Sequence, residues 1–599
     1  MCGIASVFAY HSSASAVDPQ ELRRIRDHMV ARGPDGSGEW YSPDHRVGLA
    51  HRRLAIIDLS ESGAQPMLSE DGRFVISFNG EIYNFRELRQ ELERNGHSFK
   101  SQSDTEVLLH LYAEKGEAMV RVLRGMYAFA IWDMRRCALF LARDPFGIKP
   151  LYFADDGKTF RAASQVKALL AGDCVDTAPE PAGHVGFFLW GHVPDPWTFY
   201  RGIRALPAGH TLCVDSRGVK QSCFSRVTSL LAAAEKAADK QAEQDRLIVL
   251  RDAMRDTVRH HLVADVPVGV FLSSGLDSTT LAALAAEEGG QLRTVTLGFA
   301  EYKGTPMDET YLAEQVAKHY GATHQTIWVT RSDFTSHDDQ LFAAMDQPSI
   351  DGVNTYFVSL AARRASLKVA LSGLGGDELF GGYPSFKQVP QMASTLCFFN
   401  RLPLLGRAVR ILSGPVLKRF TSSKYASLLE YGGTCSGAYL LRRGMFMPWE
   451  LPELMDGEMV RRGWHELQPL VHLGETLEGL RLPRLQVTAL ESCWYMRNQL
   501  LRDSDWASMA HSLEIRTPLV DLSLWRSVAP LAVGRNPVTK HTMARTPVKP
   551  LPPQVLHRRK TGFSIPVREW LTSGQVALGA RERGFRPWAR EVYSRYCNN

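Results

Sequence analysis

Strand-like and helix-like segments alternate along the second part of the chain. The apolar run VPVGVFL precedes the helix-like STTLAALAAEEG, and RTVTLGF precedes ETYLAEQVAKHYG. Apolar runs separated by helical patterns are typical of βα units, because two parallel strands need a crossover connection that a helix can supply. The pattern therefore predicts an α/β domain with a parallel, doubly wound sheet for residues 246–599.

The first part of the chain has a different pattern. In residues 2–215, short strand-like runs such as GRFVISFNGEIYNF surround two amphipathic stretches, FRELRQELERNG and TEVLLHLYAEKG. Strands grouped around a few helices indicate a layered α+β domain. Residues 225–245 are rich in Ala, Lys and Glu and show no strand pattern, and we interpret residues 216–245 as a linker that leads into a helix.

Composition excludes several classes of function. The net charge of +6 is spread over 599 residues, and no basic block resembles a nucleic-acid-binding arm. No apolar run reaches the roughly 18 residues that a membrane span requires. The nine cysteines are scattered and form no CxxC pair. We therefore expect a cytoplasmic, reduced protein with small-molecule substrates and with neither nucleic acid nor a membrane as a partner.

The loop VFLSSGLDSTT (270–280) follows a strand and enters a helix. Its small residues let backbone N–H groups and a helix N-terminus face an anion, and Asp277 offers a carboxylate to Mg²⁺. A serine-rich turn with Asp277 as a helix cap is the structural alternative. The loop lacks the lysine of the GxxxxGK[ST] motif. It resembles instead the SGGxDS loop of ATP pyrophosphatases, with Ser274 where glycine is usual.

Two further stretches support an ATP site. LSGLGGDELFGGY (371–383) again follows a strand-like run and carries the adjacent acids Asp377 and Glu378. In HRRKTGFSIPVREW (557–570), Lys560 stands among small and apolar residues, where a cation could neutralise a pyrophosphate leaving group. Two Gly/Ser loops with acids, both placed after strands of one sheet, are hard to explain by helix capping alone.

A cysteine directly follows the initiator methionine. Chance is one explanation for this position. Removal of Met1 would leave Cys2 with both a thiol and a free α-amine, and an α-amine that titrates near pH 8 can accept the proton of the thiol. The start of the chain would then hold a nucleophile together with its own base.

Other groups in the first domain suit an α-amino acid. Arg53 can bind its carboxylate, and Glu81 or Asp104 its ammonium group. Asn79 and the Gly80 N–H could form an oxyanion hole for attack on a side-chain amide. Each residue has an ordinary structural explanation, since NG is a common turn signal. Their combination with Cys2 is hard to explain in this way and favours attack on the side-chain amide of a bound amino acid.

Eleven motifs in the same order make the chain similar to the glutamine-hydrolysing asparagine synthetase family. They are MCGI, RGPDGSG, HRRLAIIDLS, FNGEIYNFRELR, SDTEVLLHLY, GMYAFAIWD, RDPFGIKPLY, VPVGVFLSSGLDS, LSGLGGDELFGGY, DWASMAHSLEIRTPLVD and RRKTGFSIP. The resemblance implies an N-terminal-nucleophile glutaminase domain with an αββα core, followed by a Rossmann-like ATP-pyrophosphatase domain.

The resemblance also assigns roles to residues. Cys2 would be the nucleophile that forms a glutamyl thioester, and Lys560 would contact the leaving phosphate. The glutamine-binding positions would be Arg53, Leu54, Ala55, Ile56, Ile57, Asn79, Gly80, Glu81 and Asp104. The ATP-binding positions would be Leu272, Ser273, Gly275, Asp277, Ser278, Leu297, Ser372 and Gly373. Asp277 and Asp377 would bind Mg²⁺.

The family's reaction has three stages. Glutamine is hydrolysed to glutamate and ammonia, an acceptor carboxylate attacks ATP to give an acyl-adenylate, and ammonia displaces AMP to form an amide. Aspartate, which would give asparagine, is the first expectation for the acceptor. Family members pass ammonia through an internal tunnel and are often homodimers, so a homodimer is expected here. Phosphoribosyl-pyrophosphate amidotransferases share the first domain but lack the SGGxDS loop.

One position departs from the family and leaves the acceptor open. Leu374 stands in SGLGGDE where asparagine synthetases usually have an acid. Leucine offers neither a charge for an ammonium group nor a base for a proton. One interpretation is that Glu378 or Asp351 serves aspartate instead. The other is a different acceptor, such as a sugar uronate or the carboxylate of a secondary metabolite.

Overall fold

The computed structural model describes residues 2–237, 243–420, 422–534, 536–558, 570 and 584–598. Within these ranges the strands form three sheets. Two six-stranded antiparallel sheets lie before residue 225, and a five-stranded parallel sheet lies after residue 265. The chain therefore changes from antiparallel to parallel architecture where the sequence pattern changes.

Strands β1 to β12 build the first two sheets. In chain order they are Gly3–Phe8, Gly36–Tyr41, Val47–Arg53, Met67–Leu68, Phe74–Ile82, Gly125–Asp133, Ala138–Arg143, Tyr152–Asp155, Phe160–Ala163, Arg204–Ala205, His210–Asp215 and Gly218–Cys223. One sheet has the order β10-β8-β9-β1-β3-β2, and the other has the order β12-β11-β7-β6-β5-β4. Cys2 therefore immediately precedes β1, a central strand.

The two sheets pack face to face, as the alternation along β6 shows. Ala130 and Trp132 belong to the apolar cluster between the sheets, together with Ile4 of β1. Tyr127 and Phe129 belong to a second cluster, under the helices. Successive side chains of a strand point to opposite faces, so one strand supplies both cores.

Helices cover the outer faces of this pair of sheets. Pro19–His28 and Val166–Ala171 pack on the sheet that contains β1. Phe85–Arg94 and Asp104–Lys115 pack on the other sheet. The four layers are helix, sheet, sheet and helix, which confirms the predicted αββα fold.

Strands β13 to β17 form the parallel sheet, in the order β15-β14-β13-β16-β17. They are Val268–Phe271, Arg293–Phe299, Thr323–Val329, Val369–Leu371 and Glu514–Arg516. Separate apolar clusters cover the two faces, as in a doubly wound fold, which confirms the predicted class. The strand order reverses between β13 and β16, and ligands bind at the carboxyl ends of strands beside such a switch point.

The other helices of eight or more residues surround this sheet or join the two domains. They are Pro181–Trp190, Val227–Lys236, Glu243–His261, Leu276–Glu287, Thr310–His319, Arg331–Ala344, Val353–Arg364, Ser385–Leu396, Pro403–Phe420, Cys435–Arg443, Gly457–Leu467, Pro469–Thr476, Pro483–Leu490, Arg502–Met509 and Arg586–Asn598, with a π-helical segment at Glu491–Leu501. Among the described residues, no helix combines the length and the apolar character needed to cross a membrane.

The segment interpreted as a linker contains regular structure. Within residues 216–245, β12 pairs with β11 at the edge of the second sheet, and its mostly exposed side chains explain why the sequence shows no apolar strand signal. Helix Val227–Lys236 buries Val227 and Leu231 in a core cluster of the second domain. The two domains are thus joined by a strand and a helix that each pack on a different domain.

Candidate active site

Cys2 is nearly buried, with 8% of its surface exposed. Its backbone nitrogen, which becomes the α-amine when Met1 is removed, donates to Asn79 Oδ1 at 2.9 Å. Burial raises the pKa of the Cys2 thiol. A neutral thiol is a weak nucleophile, so attack requires a base close to Sγ. The α-amine on the same residue can serve as that base.

Asn79 and Gly80 lie on β5 beside Cys2. Asn79 is fully buried, and its Nδ2 has no hydrogen-bond partner among the described residues. A buried donor without an acceptor is rare and suits an oxyanion hole, which receives its acceptor only during the reaction. A Cβ at position 80 would lie 2.1 Å from the Met126 carbonyl oxygen, so only glycine fits there.

One cavity beside Cys2 gathers most of the predicted glutamine-binding residues. Its lining includes Arg53, Leu54, Ile56, Ile57, Gly80, Glu81 and Asp104. Ala55 and Asn79 are not part of the lining. The Ala55 N–H donates to Asp35 Oδ2 at 2.9 Å. Gly63, Gln65 and Ser103 also line the cavity. Sequence reasoning missed these three because small and polar residues in loops carry no distinctive local pattern.

The charges of this cavity suit the two ends of an amino acid. Arg53 donates to the carbonyl oxygens of Asp58 and Ser60, and among the described residues it forms no ion pair, so its charge is available to a carboxylate. Burial raises the pKa of Asp104 to about 6. Burial and the nearby Glu514 raise the pKa of Glu81. Acids with raised pKa values are stabilised by a cationic ligand such as an ammonium group.

A buried ion pair connects Cys2 to the second domain. Arg32 Nε donates to the Cys2 carbonyl oxygen at 3.0 Å, and Arg32 Nη1 lies 2.6 Å from Asp505 Oδ2. Both side chains are almost fully buried. Asp503 and Ser504, the two preceding residues of the same helix, line a cavity of the second domain. The backbone of Cys2 is therefore held by a residue anchored beside the other site.

That second cavity, of about 430 Å³, lies at the carboxyl ends of β13, β14 and β16. All the predicted ATP-binding residues line it, together with one further metal candidate: Leu272, Ser273, Gly275, Asp277, Ser278, Leu297, Ser372, Gly373 and Asp377. Residues on three strands and their loops thus converge at the switch point of the sheet. Lys560 lies outside the described residues.

The loop after β13 has an unusual backbone at Ser274. Its φ is +56°, in the left-handed region that glycine adopts most easily. The Ser274 hydroxyl donates to the Glu309 carbonyl oxygen at 3.0 Å, and the Ser273 N–H donates to Ser278 Oγ at 3.2 Å. Serine thus keeps the glycine-like turn and adds a hydrogen bond to Glu309, the residue before helix Thr310–His319.

Glycines in the second loop let the two acidic loops meet. A Cβ at Gly373 would lie 2.8 Å from Asp277 Cβ, and a Cβ at Gly382 would lie 2.0 Å from Asp377 Oδ1. Side chains at these positions would therefore collide with the acids. Close packing against Asp277 and Asp377 therefore requires glycine at these two positions of the LSGLGGDELFGGY motif.

Lys540 is the main site residue that sequence reasoning missed. It contacts the carboxylate of Asp277, and its Nζ lies 2.7 Å from Asp377 Oδ1. Burial lowers the pKa of Lys540, but the two carboxylates outweigh this effect and raise it. A single lysine in PVTKHTMAR has no recognisable motif, so only the fold could reveal its position. The described residues hold no cluster of three or more His, Cys, Asp or Glu suited to a metal ion.

Leu374 lines the same cavity, and so do three acids other than Asp277 and Asp377. Burial raises the pKa of Asp351, raises that of Glu378 to about 8, and raises that of Asp503 to about 7. Glu378 Oε1 accepts from the Tyr383 hydroxyl at 2.9 Å, whereas its Oε2 has no hydrogen-bond partner among the described residues. Acidic groups therefore surround the position where Leu374 supplies none.

A small cavity beside the thiol of Cys2 lies in the first domain, and a second cavity lies at the switch point of the parallel sheet. Together with the αββα fold, they define the class of glutamine amidotransferases that have their own synthetase domain. The family profile described as glutamine amidotransferase domain matches residues 1–225, and that described as asparagine synthase matches residues 249–588. The chain belongs to the glutamine-hydrolysing asparagine synthetase family. As a member, it is a ligase that couples glutamine hydrolysis to ATP-driven amidation.

Relatives match over most of the chain. Asparagine synthetase (glutamine-hydrolysing) 1 of Bacillus subtilis is 31% identical, with 95% of this chain and 88% of that protein covered. A putative asparagine synthetase of Mycobacterium tuberculosis is 32% identical over 96% of this chain and 89% of that protein. Amidase chry2 of Gibberella zeae is 30% identical over 65% of this chain and 60% of that protein.

Proposed function

We propose that the protein transfers ammonia from glutamine to an acceptor carboxylate that is activated as an acyl-adenylate, with release of AMP, pyrophosphate and glutamate. The observation that carries this proposal is the convergence of two Gly/Ser loops with the paired acids Asp277 and Asp377 in one cavity. The loop at 270–280 lacks the P-loop lysine that accompanies transfer of the terminal phosphate. Cleavage to AMP and pyrophosphate fits such a site.

Cys2 begins the reaction in the first domain. Its α-amine takes the thiol proton, the thiolate attacks the glutamine side-chain amide, and Asn79 Nδ2 with the Gly80 N–H stabilises the oxyanion. Collapse of this intermediate releases ammonia and leaves a glutamyl thioester, which water hydrolyses to glutamate. Arg53 binds the glutamine carboxylate, and Asp104 with Glu81 binds its ammonium group.

The second domain suits ATP with Mg²⁺. Mg²⁺ prefers carboxylate oxygens together with phosphate oxygens, and Asp277 and Asp377 present two carboxylates in the nucleotide cavity. The ion would stabilise negative charge on the leaving pyrophosphate. Lys540 contacts both acids and orients their carboxylates. Lys560, by family resemblance, supplies a further cation at the leaving group.

Aspartate is the first candidate acceptor. Asp351, Glu378 and Asp503 line the cavity and can receive an ammonium group in place of the acid that Leu374 replaces. A carboxylate without an ammonium group, such as a sugar uronate, is the second candidate, because the Leu374 side chain offers an apolar wall. We place the reaction in the cytoplasm, which supplies glutamine and ATP, and we expect a homodimer.

An acceptor screen tests this proposal. AMP and pyrophosphate are measured with glutamine, ATP, Mg²⁺ and a panel of carboxylates, for the natural protein and for Leu374→Glu. Use of aspartate by the natural protein with a KM in the ordinary range, on the order of 1 mM or below, supports the first candidate. A response to aspartate only in Leu374→Glu supports the second. Formation of ADP in place of AMP would contradict both.

A further inference from the structure

A further cavity, of about 490 Å³ and distinct from the two described above, borders the nucleotide cavity. Asp351 and Tyr495 line both cavities. The volume lies within the range of small-molecule sites, which is roughly 300–1,000 Å³. Nothing in the mechanism described above uses this space, which we call the basic cavity because four cationic side chains line it: Lys424, Arg442, Arg443 and Arg586.

Two of the four cations are neutralised within the protein. Arg443 Nη2 lies 2.8 Å from Glu491 Oε2, and its guanidinium stacks on the ring of Tyr495. Arg586 Nη1 lies 2.8 Å from Glu450 Oε1. These two pairs fix the wall of the basic cavity without adding net charge to it.

Lys424 and Arg442 form no ion pair among the described residues. The only acceptor within reach of Lys424 Nζ there is the Arg442 carbonyl oxygen, at 3.5 Å. Arg442 Nε is buried and lacks any hydrogen-bond partner in the described part of the chain. Burial and the neighbouring arginines lower the pKa of Lys424 to about 8. Cations this close together are stabilised by an anion between them.

Aromatic residues complete the basic cavity. Trp190 and Trp494 line it, with their rings 5.6 Å apart. The Trp190 indole N–H and His192 Nε2 are buried and have no hydrogen-bond partner among the described residues. Unpaired buried polar atoms in a cavity wall are expected where a ligand supplies the partner. The lining therefore suits an anionic molecule with hydroxyl groups and an apolar face.

We propose that the basic cavity binds a second anionic group of the acceptor, a phosphate or a carboxylate, while the reacting carboxylate lies in the nucleotide cavity. This inference rests on the proposed function, because it names the class of acceptor for that reaction. Two cations that form no ion pair among the described residues, in a space of 490 Å³, exceed what the α-carboxylate of aspartate needs. The acceptor class is an acidic molecule larger than aspartate with at least two anionic groups.

Calorimetry with matched ligands tests the proposal. The ligands are D-glucuronate, D-glucuronate 1-phosphate and D-glucarate, titrated in the presence of saturating AMP so that the nucleotide phosphate site is filled. The proteins are the natural chain, Lys424→Gln, Arg442→Gln and the control Lys220→Gln, which changes an exposed lysine of β12. Glutaminase activity checks that each variant is folded.

The second anionic group should tighten binding at least tenfold over D-glucuronate, since charge-assisted hydrogen bonds are the strong ones. Comparison of D-glucuronate 1-phosphate with D-glucarate shows whether a phosphate or a carboxylate is the preferred second anion. Lys424→Gln and Arg442→Gln should each remove most of this gain, and Lys220→Gln should remove none. Equal affinity with and without the second group, or a gain that survives both variants, would overturn the proposal. AMP formation in the acceptor screen tests the proposed function separately, so either can fail alone.

An independent observation concerns helix Pro403–Phe420. Its side chains Leu404, Ile411, Leu412 and Val416 are 81%, 59%, 78% and 57% exposed, and the preceding Phe398 is 64% exposed. Isolated exposed apolar residues are ordinary, but a row of them on one element marks an interaction surface.

Charge indicates the partner of this surface. From residue 379 to residue 429 the sequence has no acidic residue and seven basic ones. Two of the seven are engaged elsewhere, since Arg410 pairs with Glu430 and Lys424 lines the basic cavity. A second copy of the chain would bring two such segments together and oppose like charges. An apolar helix face flanked by Lys and Arg is typical of segments that lie in the interface of an anionic bilayer. We infer that this helix docks the enzyme on an anionic lipid surface. Such peripheral contact needs no membrane-spanning run, so it departs from the expectation, drawn from the sequence, that a membrane is not a partner.

Vesicle sedimentation tests this inference. The full-length protein should bind vesicles of phosphatidylglycerol and phosphatidylcholine more tightly than vesicles of phosphatidylcholine alone, and high salt should weaken the binding. Leu404→Gln with Leu412→Gln should lower the partition coefficient at least tenfold. The control Val471→Gln, at another exposed apolar position, should not. Absence of lipid binding, or a dimer in light scattering that the same double variant dissolves, would overturn it.

Discussion

At the scale of single residues, unfavourable states mark the places where ligands act. Asn79 Nδ2 is buried without an acceptor in the part of the chain that the structure describes, Asp104 has a raised pKa, and Ser274 has a left-handed backbone. Each state costs stability in the free protein. A bound substrate would supply the acceptor for Asn79 and the cation for Asp104. A turn that faces phosphate explains the backbone of Ser274. Such residues are therefore the first place to test the assignments.

Ser274 allows a test of the turn. Ser274→Ala keeps the strained backbone and loses the hydrogen bond to Glu309, so it should destabilise the protein by about 1 kcal/mol. Ser274→Gly loses the same bond but relieves a strain of about 1 kcal/mol, so the net change should be within about 0.5 kcal/mol. Thermal unfolding of both variants measures the difference. Equal destabilisation by both would show that the left-handed turn carries no strain.

Asp104 gives the glutaminase a pH dependence. Because burial raises its pKa to about 6, the carboxyl is ionised above that pH and neutral below it. Only the ionised form can pair with the ammonium group of glutamine. We expect kcat/KM for glutamine to fall as the pH drops through about 6, and Asp104→Asn to lower kcat/KM and flatten this limb. A profile of Asp104→Asn identical to that of the natural protein would contradict the role.

At the scale of elements, the nucleotide site is assembled from strand ends and held by one lysine. The loops after β13 and β16 each carry an acid, and Lys540 on helix Lys540–Met543 contacts both. Without the lysine, two carboxylates would repel each other across the cavity. The site thus depends on an element that contributes no recognisable motif of its own.

Lys540→Met should therefore impair the synthetase site alone. Removing a buried cation that orients two carboxylates should lower pyrophosphate release at least a hundredfold, because such groups commonly supply several kcal/mol at the transition state. Glutaminase activity should remain. Lys387→Met, at a lysine on another helix of the same domain, is the control. Unchanged AMP formation in Lys540→Met would remove Lys540 from the site.

How far the sequence could predict these elements depends on local pattern. The runs RTVTLGF and VPVGVFL, predicted as strands, lie at β14 and β13. Central parallel strands are covered on both faces, and six of the seven residues of β14 are buried. Thr323–Val329 alternates exposed and half-buried residues at the sheet edge, and Glu514–Arg516 has only three residues, so neither gave a strand signal. Arg32 and Asp505 are 473 residues apart in the sequence, so their ion pair could not be predicted without the fold.

At the scale of the whole molecule, buried ion pairs join the two active sites. Arg32 and Asp505 link the Cys2 carbonyl to the helix that lines the nucleotide cavity, and Arg516 on β17 lies 3.3 Å from Glu81 in the glutamine cavity. Both contacts are buried, so the domains cannot separate without exposing unpaired charge. The arrangement suits an enzyme that passes ammonia between its sites without releasing it.

Arg32→Met tests this connection. Breaking a buried pair leaves Asp505 uncompensated and should cost about 3–5 kcal/mol. Arg23→Met, which breaks a solvent-exposed pair with Glu39, should change the stability far less. Glutamine-dependent amide formation should fall further than ammonium-dependent formation. A parallel loss of both activities would show that Arg32 supports only the fold. Arg32→Met with Asp505→Leu should recover stability without restoring the glutamine-dependent rate.

The most direct test of the account compares two nitrogen sources in Cys2→Ala. AMP formation is measured with glutamine and with ammonium chloride, with an acceptor from the screen, in the natural protein, in Cys2→Ala and in the control Cys137→Ala, which changes an exposed cysteine. We predict that Cys2→Ala loses glutamine-dependent amidation and retains ammonium-dependent amidation, while Cys137→Ala keeps both. Glutamine-dependent amidation that survives in Cys2→Ala would contradict the account.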